Sequence, residues 1–378
     1  MPKIAELSSI PLEYVVPDAR AYGMSRGLNF RRTLSLIQVT TDEGIVGTGE
    51  ASGPPAITRE YLKLLRPAFI GRDIFAFEQA ATHVYNKLYH YGVQNPMTSC
   101  LGGIDIALHD AIGRTIGVPV YNLLGGAHTD RIPAYASTGY LTKDPDNQLA
   151  EQLERITGQG FPGVKIKIGV SPASDVERVR LTRKILGDDV LLMVDVNGNY
   201  TRDVALESMR RLQPFDVHWM EEPLPLRDTE GFRLLRAQAL MRIATGEAAY
   251  TIDDFRRLID VEGVDVVQPS LPTCGGLGQG KQIARLAALN NLRVSPHVWG
   301  GAIGLAAALH FLASLPPAPH SDNVPYPPLL EYDRSDNPLR DELLETPVVF
   351  ERGTVRVPDG PGLGVELDMA IVERYRIV

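Results

Sequence analysis

The spacing of apolar and polar positions changes near residue 130. Before it, IAELSSIPLEYVV (Ile4–Val16) alternates as a half-buried strand does. TLSLIQVTTDEGIVGTGEAS (Thr33–Ser52) reads as two strands joined by a turn at Asp42-Glu43-Gly44. A loop rich in Arg, Tyr and Gly (Pro17–Asn29) lies between these stretches. In LGGIDIALHDAIGRTIG apolar residues recur at three- and four-residue intervals, predicting a helix that ends at Gly117-Val118-Pro119. From about Arg131 short apolar runs alternate with amphipathic helical segments such as DVERVRLTRKIL and GKQIARLAALNN. The runs are IPAYAST, VKIKI, LLMVDVNG, VHWMEEP, IATGEA, VDVVQPS, LRVSPHVW and LLEYD. Alternating strands and helices argue a parallel sheet. Eight such units predict a modified (β/α)8 barrel over 131–346. The expected partner is an α+β capping domain, built from residues 1–130 and joined by the β-rich tail from about 347 to 378.

In a barrel of this kind the reactive groups sit at the C-terminal strand ends. GVKIKIG puts Val164, Ile166 and Ile168 on one face and Lys165 and Lys167 on the other. Later strand ends carry Asp195 and Asn197, then Glu221 and Glu222, Glu247, Ser270, His297, and finally Glu331 and Asp333. Asp195 to Glu221 and Glu221 to Glu247 are each 26 residues, so one β/α unit separates each acid from the next. Three carboxylates converging on one rim repel unless a cation neutralises them, and an all-oxygen set suits Mg2+. Glu222 faces away from Glu221 and reads as a structural ion-pair partner; Asn197 reads as a hydrogen-bonding neighbour of Asp195. Each lysine should lower the pKa of the other toward neutrality, which would fit one of them to act as a general base. The bland alternative is that both merely balance the acids.

Composition narrows the picture. The 378 residues carry a net charge of −8, with no basic stripe for nucleic acid. Two cysteines, Cys100 and Cys274, cannot build a disulfide framework and read as reduced thiols. The N-terminus lacks a continuous apolar signal segment, and no run reaches the roughly 20 residues of a membrane span. A cytoplasmic protein with no membrane or nucleic-acid partner is expected.

The ordered set KIK, VDVNG, WMEEP, ATGEA and PHVWG resembles the enolase superfamily, in its mandelate racemase/muconate lactonizing enzyme-like branch. LGGIDIALHDAIGRTIGVPVYNLLGG is similar to the helical part of that family's capping domain. PHVWGGAIGLAAALHF, LLEYDRSDNPLR and VPDGPGLGVEL look closest to galactarolactone cycloisomerases and sugar-acid dehydratases. The resemblance implies one Mg2+ held by Asp195, Glu221 and Glu247, gripping a substrate carboxylate and stabilising an enediolate. It implies Lys167 as the base, Lys165 as a support for the charge, His297 facing the opposite side of the substrate, and Glu331 hydrogen-bonding a carboxylate oxygen. It implies a homo-oligomer acting on a small carboxylate, with β-elimination (lactone cycloisomerisation or dehydration) as the outcome. Racemisation or epimerisation, or a catalytically inactive metal-binding relative, are the alternatives.

One position departs from the pattern. The family has an Asp on strand six paired to the strand-seven histidine, where QPSLPTCGG has Ser270. A serine can orient an imidazole but carries no charge, so His297 serves chiefly as an acid, is dispensable, or marks lost activity. QPSLP also lacks the second lysine of the two-lysine amino-acid racemases and dipeptide epimerases. In the Pro17–Asn29 loop, Arg20, Tyr22 and Arg26 suit a polyhydroxylated substrate or one with a second carboxylate. Ser52, after Glu50-Ala51, is expected at a second lid contact, and Trp299 either lines the pocket or packs. GGLGQGK (Gly275–Lys281) opens a helix in a way that could help bind an anion, but a tight strand-to-helix turn is the better reading.

Overall fold

The computed structural model describes residues 1–143, 145–317 and 328–378. The N-terminal part is a three-stranded antiparallel sheet, Ile4–Val15, Arg31–Thr41 and Val46–Ala51, covered by helices Pro55–Phe69, Phe77–Lys87 and Pro96–Ile116. The turn expected at Asp42-Glu43-Gly44 is present, with Gly44 at φ 83°. Gly47 and Gly49 let their strand lie directly on the longest helix: a Cβ would sit 2.1 Å from the Ala107 carbonyl oxygen and 2.0 Å from that of Gly103. That helix begins at Asn95, whose side chain accepts from the Met97 N–H, and ends at left-handed Gly117. Leu7, Ile37, Leu65 and Ile104 belong to the core between sheet and helices.

The Pro17–Asn29 segment is more ordered than a flexible loop. Tyr22–Met24 and Gly27–Asn29 form a hairpin, and Leu141–Thr142 adds to its edge. This small sheet ties the N-terminal part to the segment that follows the first strand of the C-terminal part.

Eight parallel strands follow in the predicted order: Arg131–Thr138, Gly163–Lys167, Leu191–Asp195, Val217–Glu221, Arg242–Thr245, Val266–Val267, Arg293–Val294 and Leu330–Asp333. Each pairs with the next through the seventh, and the eighth pairs with the first. Strands six and seven are two residues each, shorter than the apolar runs suggest. Pro269 and Pro296 follow within two residues, and proline has no N–H for the ladder. Between strands seven and eight the described residues form no ladder, but Ser295 Oγ donates to the Leu329 carbonyl at 2.9 Å.

Strand parity separates two layers. Val164, Ile166, Leu192, Val194, Met220 and Ile243 face the surrounding helices in the main core. Tyr135, Met193, Trp219, Ala244 and Val266 form a separate inner cluster. The polar strand ends rise above that inner cluster. The tail divides its contacts. Thr354–Arg356 pairs antiparallel with Arg131–Pro133, while Ile377 N–H bonds the Pro11 carbonyl in the N-terminal sheet.

Candidate active site

Lys165 and Lys167 project inward because Val164 and Ile166 take the helix-facing side of a short, fully buried strand. Register aligns Lys167 with Asp195, and Asp195 with Glu221. Lys165 Nζ bonds Glu221 Oε1, lies 2.8 Å from Glu331 Oε1 and 3.8 Å from Asp195 Oδ2. Lys167 Nζ lies 2.5 Å from Asp195 Oδ2. Burial disfavours both ammoniums, yet the surrounding carboxylates outweigh it: Glu221 and Glu331 carry Lys165 well above its ordinary pKa, and Asp195 raises Lys167. This reverses the expectation that the two lysines depress each other. Lys165 does lower Lys167, but by less than Asp195 raises it.

Asp195, Glu221 and Glu247 each offer an oxygen within 4.8 Å of the others. Asp195 is oriented by the Asn197 backbone N–H (2.9 Å) and Nδ2 (3.2 Å). Burial would raise its pKa, but Lys167 and Lys165 hold it below the usual carboxylate value. Glu221 Oε2 accepts from Gln268 Nε2 at 2.7 Å and Trp219 Nε1 at 3.2 Å. Burial, helped by the neighbouring Asp195, Glu331 and Glu247, pushes Glu221 up to about 8 although Lys165 opposes it. Glu247 Oε2 is buried without a hydrogen-bond partner. Crowded carboxylates, an unused inward oxygen and an all-oxygen donor set fit a hard divalent cation.

Glu222 does not form the expected ion pair. It is buried at φ 43° with no cationic partner among the described residues. Burial together with Glu247, Asp195 and Glu221 pushes its pKa well above the ordinary value. It belongs to the acid cluster rather than to the far side.

His297 stands on the other side of this cluster. Its Nε2 is 3.6 Å from Glu247 Oε2, and its buried Nδ1 has no hydrogen-bond partner. Ser270 does not orient it: the Ser270 hydroxyl accepts from Thr273 Oγ1 at 3.1 Å. Glu331 joins the two sides, since its Oε2 accepts from the Val298 N–H at 3.0 Å while Oε1 faces Lys165. Burial would raise its pKa, but Lys165 and His297 hold it below the usual carboxylate value.

Of the lid residues, Arg26 gives Nε and Nη2 to the Asn197 and Gly198 carbonyls, both at 2.6 Å. Arg20 is exposed and paired with Asp336 at 3.1 Å. Tyr22 is buried, donating to the Asp336 carbonyl and accepting from Arg32. Ser52 and Trp299 line a cavity of about 390 Å³ with Ser270 and His297, between the N-terminal sheet and the ends of strands six and seven. Trp299 donates Nε1 to Tyr140 Oη at 3.0 Å, and the Arg32 guanidinium lies 3.6 Å from its ring centroid.

Sequence reasoning missed several groups that frame the site. Gln268 shares strand parity with Ser270, so alternation alone could have found it. Arg32 gives Nη2 to Asp333 at 3.2 Å, and Arg340 gives Nη1 to the same carboxylate at 2.9 Å. Glu50 is buried and accepts from Gly301 N–H (2.8 Å) and Gly304 N–H (2.9 Å), at the start of helix Ala302–Ala313. Asp105 accepts from Gly278 N–H at 3.2 Å, at the start of helix Leu277–Leu289. The amide end of that helix is therefore occupied by a carboxylate of the protein, which fits the tight strand-to-helix turn. No local pattern announces either contact, because each joins distant parts of the chain.

An N-terminal α+β unit set over an α/β sheet, with two lysines and three acids in register at the strand ends, defines a class of enzymes that remove protons next to carboxylates. The chain belongs to the enolase superfamily: residues 12–125 match the mandelate racemase/muconate lactonizing enzyme N-terminal domain, and residues 148–371 match the enolase C-terminal domain-like family. It is 33% identical to D-galactarolactone cycloisomerase of Agrobacterium fabrum over 92% of each chain. It is 30% identical to arabinonate dehydratase of Saccharolobus solfataricus, covering 90% of this chain and 89% of the other. Among solved structures, the 3,6-anhydro-D-galactonate cycloisomerase from Zobellia galactanivorans superposes with a TM-score of 0.89 at 31% identity, over 100% of both chains. Among the described residues no helix is long and apolar enough to cross a membrane.

Proposed function

We propose that the protein abstracts the proton α to the carboxylate of a sugar acid or sugar-acid lactone, in a Mg2+-dependent reaction ending in β-elimination. The observation that carries this reading is the register of Lys167, Asp195 and Glu221, with Glu247 completing the acid set. Asp195, Glu221 and Glu247 would hold Mg2+, which supplies positive charge to steady the substrate carboxylate as negative charge develops on it. With those acids neutralised, burial and the charge of Lys165 are left to bring Lys167 toward its neutral amine. That amine takes the α-proton. The electron pair moves into the carboxylate to give an enediolate, and Lys165 lies beside the acid cluster to balance the charge. Return of the pair expels the β-oxygen substituent. His297 Nε2 can protonate the departing oxygen or the resulting enol. With no acid on Nδ1, His297 is better placed to deliver a proton than to abstract one. This weighs against racemisation, which needs a strong base on each face.

The names of the relatives support both cycloisomerisation and dehydration as outcomes. The same reading closes the eight strands into a (β/α)8 barrel, with the Ser295–Leu329 bond spanning strands seven and eight, and divides the chain near residue 130. The test is proton NMR of the protein with Mg2+ in D2O, against aldonates, aldarates and their lactones. Loss of an α-proton signal or appearance of a keto product, absent in Lys167→Ala, is expected. Mg2+ binding with no exchange on any of these compounds would remove the proposal.

A further inference from the structure

The cavity beside His297 contains none of the three acids, yet His297 borders both it and Glu247. A substrate whose reacting end lies at the acid cluster would extend its far end past His297 into this space. The charge around that space is therefore a statement about the far end.

Four titratable side chains line the cavity: Arg31, Arg32, Glu50 and His297. Arg32 is already engaged. It donates to Tyr22 Oη, the Trp299 carbonyl and Asp333, and its guanidinium plane covers the Trp299 ring. Arg31 lies at the rim with Nη1 2.9 Å from both oxygens of Glu13. Glu50 offers a carboxylate and no attraction for another. Arg20 and Arg26 would be the lid's candidates for a second carboxylate. Arg20 is held by Asp336, and Arg26 is spent on two backbone carbonyls. Apart from His297, whose proton is used in the proposed reaction, what the cavity offers is neutral hydrogen-bonding capacity. Asn29 Nδ2 and Asn337 Oδ1 are buried without partners, and both residues line it beside Ser270 and Thr273. An unpaired carboxylate would enter at a heavy desolvation cost, whereas a hydroxyl or a lactone ring would find donors and acceptors.

We infer that the cavity between the N-terminal sheet and strands six and seven holds a neutral, hydroxylated far end, so that the substrate carries a single carboxylate. Aldonates, anhydro-aldonates and aldaric monolactones fit it; open-chain aldarates do not. The lid arginines are on this reading structural ties, and the inference rests on the proposed function for the placement of the reacting end.

The experiment compares pairs that differ only at the far carbon: galactonate with galactarate, and gluconate with glucarate, plus the monolactone of each aldarate. With the Mg2+-loaded protein, kcat/KM for α-proton exchange should favour single-carboxylate compounds by about tenfold or more. Equal or greater kcat/KM on the aldarates would overturn the inference. Thr33→Arg adds a cation at an exposed position on the cavity wall and should shift the ratio toward aldarates. An unchanged ratio would mean that the far end lies elsewhere, and would also overturn it. If nothing exchanges, the proposed function fails, and calorimetry on the same pairs decides the inference separately. Tighter binding of the single-carboxylate member by about tenfold would uphold it, while equal or tighter aldarate binding, or no binding of any member, would end it.

Discussion

On the lysine side of the strand ends, Asp195, Glu221, Glu222, Glu247 and Glu331 crowd around two ammonium groups. On the histidine side, the single carboxylate of Asp333 has two guanidiniums, while Glu50 and Asp105 each lie against the amide end of a helix. One side carries an excess of negative charge that a cation would relieve. The acids of the other are paired within the protein, and it presents mainly neutral groups to the cavity. The difference teaches that the two halves of this mouth can be told apart by charge balance alone, even though both are buried and both are rich in acids.

The comparison breaks most visibly at Lys167. Lys167→Ala should lower kcat for α-proton exchange by about 10²–10⁴-fold, the usual range for a lost general base, measured by NMR in D2O. A smaller effect than that of His297→Asn would put the base on the wrong side. Asp333→Asn should be the costliest change for folding on the histidine side. It strands Arg32 and Arg340 and should lose about 3–5 kcal/mol in denaturant unfolding. The pH behaviour follows from the same carboxylate. Burial would raise the Asp333 pKa, but Arg340 and Arg32 hold it at about 2, below the roughly 3.9 of an unfolded Asp. Its contribution to stability is therefore complete above about pH 4 and is lost as pH falls toward about 2. Wild type and Asp333→Asn should converge in stability over that window.

Gln268→Ala frees Glu221 Oε2 from its 2.7 Å donor and should weaken Mg2+ binding by about 10–100-fold in a calorimetric titration, with little change in unfolding. An unchanged affinity would show that Trp219 and Lys165 suffice to orient the carboxylate. Ser270→Asp should have the smallest effect, within about tenfold. An acid near His297 favours the imidazolium and should quicken exchange from the histidine face, seen as deuterium entering with the opposite stereochemistry.

Much of this was legible because strands impose parity. A period of two placed Lys165 and Lys167 inward, and the equal 26-residue intervals placed three acids at one level. The sign of the lysine pKa shifts was not legible, since it depends on how many carboxylates reach each Nζ in space; Glu331 lies 166 residues beyond Lys165 and still approaches to 2.8 Å. The fate of Glu222 was hidden for a different reason: parity assigns it to the far side, but its positive φ ends the strand and leaves it within the field of Glu247 and Asp195. Strands six and seven were overread because apolar runs continue past the point where proline interrupts the ladder.

Glu50 and Asp105 also constrain how the two parts of the chain can move. Both reach from the N-terminal part into the starts of helices that follow strands seven and six. Lifting the N-terminal part on that side would leave buried amides and carboxylates without partners at once. The opposite edge is held by the short hairpin of residues 22–29 and by the backbone contacts of Ser25 and Arg26. The edge over strands six and seven is thus joined by buried carboxylate–amide bonds, whereas the hairpin edge is joined by side-chain-to-carbonyl bonds.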